Sequence, residues 1–230
     1  MATFSLLSAD LASTTNATSY AGNAGTPAAG DMLICIVATS GLTTAGSLTG
    51  GGWTWTNVKS FTKNAGADVI NVFWAYASAA TSTTPTFATG GVTATGCIIS
   101  CIRCSGLTDQ TNFTNSLKQA IVTNTGSTAN PTVVFGSALT STSGVIAFAT
   151  NGTNSATQWT APSGFTQLSQ VSYNTPANSG QTSTLNSGST ATTLTWTNAN
   201  TTAWGTVGIE LISAVATSYD PFGQYGFFGL

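Results

Sequence analysis

Histidine is absent from this 230-residue chain, and charge nearly so: four Lys and Arg stand against six Asp and Glu, 4% of residues. An ordinary soluble domain carries roughly 25%. Each shortage removes a class of function. Without histidine, general acid–base chemistry falls to a handful of carboxylates. Lys59, Lys63, Arg103 and Lys118 cannot compose the basic footprint that phosphate neutralisation requires, so no nucleic acid is expected as a partner. No apolar run approaches the roughly 20 residues of a membrane helix. The opening "MATFSLLSADLAS" has neither a basic start nor a sustained apolar stretch, so no signal peptide is read from it. That lack also disfavours an outer-membrane barrel, and no membrane partner is expected. What fills the place of charge is Thr, Ser, Asn and Gln. Such a surface holds few long side chains to immobilise and little charge to desolvate, which suits a chain packed against other chains.

Cysteine is scarce too: Cys35, then "CIISCIRC" with Cys97, Cys101 and Cys104. On a strand, Cys97 and Cys101 share a face about 13 Å apart while Cys104 takes the other. Four thiolates cannot converge on zinc from there, and no metal or cofactor is expected. Buried free thiols are the reading; a Cys35–Cys97 disulfide would need an oxidising compartment.

Helical periodicity is missing, whereas strand signals recur. They fall at 31–39, 53–61, 68–77 and 94–103, then at 115–123, 131–136, 144–150, 164–173, 192–196 and 205–213. Turns of Gly, Asn, Ser and Thr separate them. About ten strands without helices predict an all-β, antiparallel two-sheet sandwich. The two halves echo each other: "GDMLICIVATSG" (30–41) matches "TSGVIAFATNGT" (142–153), and "GGWTWTNVKSF" (51–61) answers "PSGFTQLSQVSY" (162–173). This pseudo-repeat predicts one jelly-roll-like sandwich over residues 1–215, each half supplying a Greek key, in preference to two stacked domains. Residues 216–230 follow it as an extended aromatic and glycine-rich arm.

The succession of "GDMLICIVATSG", "GGWTWTNVKSF", "VFWAYASAATSTTPTFA" and "CIISCIRCSG" resembles the jelly-roll proteins on tailed-phage virions. Those serve as capsid decoration or cement proteins and as tail appendages. The resemblance implies a non-enzymatic structural virion protein of a bacteriophage, a homotrimer assembled in the host cytoplasm with the major capsid protein or another virion protein as partner. It brings no catalytic residues with it.

The six carboxylates are Asp10, Asp31, Asp68, Asp109, Glu210 and Asp220. None adjoins another, and no catalytic residue is assigned; a glycosidase would need a pair assembled across strands, which nothing in the sequence indicates. Glu210 in "GTVGIELIS" takes the face opposite Val207, Ile209 and Leu211, and reads as an outward or paired surface carboxylate. A buried Glu beside Lys59, Lys63 or Lys118 would instead promote a Lys–Asn cross-link. Trp53 and Trp55, two apart, share a strand face. They read as core rings. The alternative, a tail appendage recognising host-surface glycan, has them stack on a sugar, with Trp159, Trp196 and Trp204 in support.

The chain closes on "YDPFGQYGFFGL". Tyr219, Phe222, Tyr225, Phe227, Phe228 and Leu230 are threaded on glycines, after the last expected strand. Pro221 and the glycines oppose a helix or a central strand. These six side chains are the expected assembly contacts, docking on a neighbouring subunit or on the capsid shell, the alternative being a groove on the protein's own surface.

Overall fold

A computed structural model describes residues 1–63, 67–153, 159–198 and 200–215. The six tail residues assigned to assembly lie outside the described residues.

The first half contains β1 (Thr3–Leu6), β2 (Leu11–Ser13), β3 (Ser19–Ala21), β4 (Met32–Ser40) and β5 (Ser47–Thr49). It continues with β6 (Thr56–Lys63), β7 (Asp68–Tyr76), β8 (Thr86–Ala88) and β9 (Gly96–Ser105). A short helix, α1 (Phe113–Ser116), leads into the second half. There follow β10 (Val122–Gly126), β11 (Thr132–Val134), β12 (Gly144–Asn151) and β13 (Thr166–Tyr173). The last are β14 (Asn178–Leu185), β15 (Thr193–Thr195) and β16 (Trp204–Leu211). All named pairings are antiparallel.

The first half forms a large sheet in the order β1-β9-β4-β7-β6, with β2 also on β9, and the second forms β10-β16-β12-β14-β13. Taken position by position, the two orders are the same, so the repeat heard in the sequence is a repeat of topology. Small sheets, β3-β8-β5 and β11-β15, accompany them. The fold is thus an all-β sandwich, jelly-roll-like, with its antiparallel sheets packed in layers. Each half keeps its strands within its own large sheet and its own small one. Strands β4, β7, β9 and their counterparts are buried on both faces, so each large sheet needs a cover on either side.

Alternation along the strands assigns those faces. Met32, Ile34, Ile36 and Ala38 of β4 point inward, meeting Ile146 and Phe148 of β12 and Val207, Ile209 and Leu211 of β16 in a core shared by both halves. Cys35 and Val37 point outward, under Tyr20, Leu48 and Phe87 of the first small sheet. Val145 and Ala147 do the same beneath Val133, Leu194 and Trp196. Removing a fully enclosed side chain such as Ile36 from the shared core would cost about 2–5 kcal/mol.

Strand β14 was not expected from sequence, because "NSGQTSTL" is polar; yet seven of its eight residues are buried. Hydrogen bonds replace hydrophobicity there. Thr182 and Ser100 of the facing sheet share a hydrogen bond of 2.7 Å, and Gln181 donates to Gln167 at 2.7 Å. The expected strand 115–123 is also revised. Asn112 caps the helix by accepting from the Asn115 amide, as cap asparagines do, and pairing starts only at Val122.

Candidate functional site

The two tryptophans singled out in the sequence precede β6 rather than lie on it, so they do not act as a pair. Trp55 is half-buried against the outer-face cluster and donates its indole N–H to the Gly50 carbonyl at 3.1 Å. Trp53 opens into a hollow of about 410 Å³ with Trp74, Tyr76, Thr54, Thr56 and Ser78. The backbone explains its pose. Gly51 has φ +74°, and a Cβ there would lie 2.3 Å from the Trp53 ring, so only glycine lets the indole settle on the turn.

Register builds the rest of the hollow. Thr56 stands opposite Trp74, and Trp74 and Tyr76 lie two apart on β7. Ile70 and Val72, earlier on the same face, are fully buried in the shared core, whereas Trp74 and Tyr76 are half-buried. The cover thins toward that end. Trp74 is further fixed by stacking on Phe113 of α1, with centroids 5.9 Å apart and planes at 19°. Three half-exposed rings among threonine and serine hydroxyls form a surface that can stack on an apolar sugar face and hydrogen-bond its edge. Trp74 and Tyr76 were missed in the sequence, where they read as ordinary strand residues. Trp159, Trp196 and Trp204 are core residues, each no more than 5% exposed, and cannot serve a surface site.

The cysteines divide differently from expectation. Cys35 and Cys101 are opposite each other on β4 and β9 and form a disulfide; Cys97 and Cys104 are buried free thiols. The expected faces hold: Cys97 and Cys101 belong to the outer cluster, Cys104 to the shared core. The register of β4 against β9 decides the pairing, and it places Cys97 opposite Thr39. Among the described residues no three His, Cys, Asp or Glu side chains gather as a metal site would require.

The carboxylates have separate surroundings. Asp31 accepts from Arg103 Nε at 2.7 Å and from the Ala28 amide at 2.8 Å. Asp109 accepts from Thr111 and Asn115, bonds that hold its carboxyl below the ordinary range. Asp10 accepts from Ser169, while burial of the carboxyl raises it to about 6. Asp220 lies outside the described residues. Glu210 is corrected: it faces away from the shared core as expected, yet it is 1% exposed. Its carboxylate receives Gln119 Nε2 at 2.5 Å and the Thr140 amide at 2.7 Å, so it anchors two loops over the outer face rather than meeting water.

The lysine that is buried is Lys63, not a neighbour of Glu210. Lys63 Nζ lies 3.5 Å from Asp68 Oδ2 and donates to Asn178 Oδ1 at 3.4 Å. Asn178 also accepts from Thr150 Oγ1 at 2.8 Å and donates to Ser40 Oγ and Tyr173 Oη, both at 3.1 Å. Ser40 and Tyr173 share a further bond of 2.8 Å. This network ties the hairpin end of one half to that of the other. No sequence signal marks it, because its members lie as far as 138 residues apart.

The chain matches no protein-family model, no curated protein and no solved structure.

Proposed function

We propose that this chain is a structural virion protein that decorates and braces a capsid shell as a non-enzymatic cement. The observation that carries the reading is how little free charge its surface holds. Of ten charged side chains, Lys63 is buried and paired with the partly exposed Asp68, Arg103 is paired with Asp31, and Glu210 is enclosed. Docking such a surface desolvates little charge and immobilises few long side chains. The doubled, layered sheets add a stiff body suited to bearing load. In this reading Tyr219, Phe222, Tyr225, Phe227, Phe228 and Leu230 supply the apolar anchors to a neighbouring subunit or shell, and the working unit is a homotrimer. A reconstruction of the particle tests it. The chain should occur in a copy number set by the shell lattice, and particles lacking it should lose infectivity at lower temperature.

A second reading is supported by the Trp53, Trp74 and Tyr76 hollow: a tail appendage binding host-surface glycan. It predicts few copies per particle and adhesion of the isolated protein to host cells.

A further inference from the structure

We propose that Lys63 and Asn178 join in an intramolecular isopeptide bond that covalently links the two halves of the molecule. The placement is symmetric. Lys63 and Asp68 are register partners at the end of the β6–β7 hairpin, and Tyr173 and Asn178 are register partners at the end of β13–β14, the topologically equivalent hairpin. The two ends meet between the large sheets, and Gly205 makes the room: a Cβ there would lie 3.4 Å from Lys63 Cβ and 2.6 Å from Ile70 Cδ1.

The site is a poor one for an ammonium ion. Charge-assisted N–H···O bonds run at about 2.7–2.9 Å, whereas the two oxygens reached by Lys63 Nζ stand at 3.4 and 3.5 Å. Lys63 is 1% exposed, and burial pushes its amine below the ordinary lysine value. A buried lysine in its neutral form is a nucleophile. Its target is at hand, because the oxygen it contacts at 3.4 Å is one bond from Asn178 Cγ. Asn178 Oδ1 faces Lys63 Nζ and Thr150 Oγ1, and Nδ2 lies on the Ser40 and Tyr173 side.

Each neighbour has a task in the exchange. Asp68 takes the proton from Nζ, and the amine pair attacks Cγ, forming the Nζ–Cγ bond. Negative charge builds on Oδ1, which the Thr150 hydroxyl already bonds at 2.8 Å, as an oxyanion donor should. The Cγ–Nδ2 bond then breaks. The leaving nitrogen collects its proton through the Ser40–Tyr173 hydroxyl pair, and Asp68 restores that proton to the network. One primary amine and one primary amide become one secondary amide and one ammonia, with no oxidant, reductant or cofactor consumed.

The intact mass of the full chain, measured after reduction of its disulfide, decides the matter. It should fall below the sequence mass by one ammonia, and proteolysis should yield a branched peptide joining Lys63 to Asn178. Lys63→Arg, Asn178→Ala and Asp68→Asn should each restore the full mass, with circular dichroism confirming their fold. A wild-type mass equal to the sequence overturns the proposal without recourse to any variant. Loss of one water instead, or a branch at Asp68, overturns it equally.

Discussion

Cys35 and Cys101 stand directly opposite each other on β4 and β9 and close a bridge across the most central pairing of the first sheet, 66 residues apart in sequence. A closed loop of that length restricts the unfolded chain by about 4 kcal/mol in the chain-entropy account. The other two thiols are held in apolar surroundings that push them well above the ordinary cysteine value. The native protein should therefore take up no iodoacetamide. Unfolding should expose two reactive thiols, and unfolding with reduction four. Labelling of the native chain would show that Cys97 or Cys104 reaches solvent. Such a bridge persists in oxidising surroundings.

Asp10 gives the stability a pH dependence. Its carboxyl is raised from 3.8 to about 6 by burial, against the lowering effect of Ser169 and Ser100. Its Oδ1 is enclosed without a hydrogen-bond partner. Between those two values the native state keeps a proton that the unfolded chain has released. This contribution is fully present below about pH 4 and declines as pH rises through about 6. Asp10→Asn should raise stability at pH 7 by at most about 3 kcal/mol and flatten the decline. Denaturant midpoints across pH 4 to 7 measure both.

Legibility of the sequence followed the apolar alternation. "MLICIVATS" and "GVIAFATN" announce central strands because their hydrophobic character admits no other placement, and the echo between them reports the repeated sheet order. Strand β14 was hidden because Gln181, Thr182 and Ser183 are buried through hydrogen bonds, which composition reads as a loop. Trp53 was visible as a candidate, but its partners Trp74 and Tyr76 depend on where the facing sheet stops covering β7. The Cys35–Cys101 pair needed a register, and Lys63 beside Asn178 needed the packing of two hairpins. Neither is a property of any local stretch.

Glu210→Gln should destabilise the fold. The carboxylate accepts from both the Gln119 amide and the Thr140 N–H, and an amide in its place must turn a donor toward one of them. Leaving a buried donor unpaired costs about 1–3 kcal/mol. An unchanged denaturation midpoint would show that water reaches this face and relieves the mismatch.

Trp53→Ala separates the two readings of the hollow. Under the glycan reading, tryptophan fluorescence of the wild type should shift on titration with host-surface polysaccharide, and the variant should lose both the shift and cell adhesion. Because Trp53 is only half-buried, the fold should survive the change. Binding that persists in the variant would remove the hollow from consideration.

Deleting residues 219–230 tests the assembly arm. Among the described residues the last strand, β16, ends at Leu211, and Ser213 is still bridged to Leu107, so every named strand of the two large sheets precedes the deleted segment. The truncated protein should keep its far-UV spectrum and its denaturation midpoint within about 0.5 kcal/mol, as changes away from packed features usually do. What it should lose is association, because a few buried aromatic anchors carry most of the energy of an interface. Sedimentation of the truncated and full chains, each mixed with particles that lack the protein, reads this directly. A truncated chain that trimerises and binds particles as the full chain does would refute the assignment of Tyr219, Phe222, Tyr225, Phe227, Phe228 and Leu230 to assembly. One that unfolds would refute it as well, since the segment would then belong to the core of its own molecule.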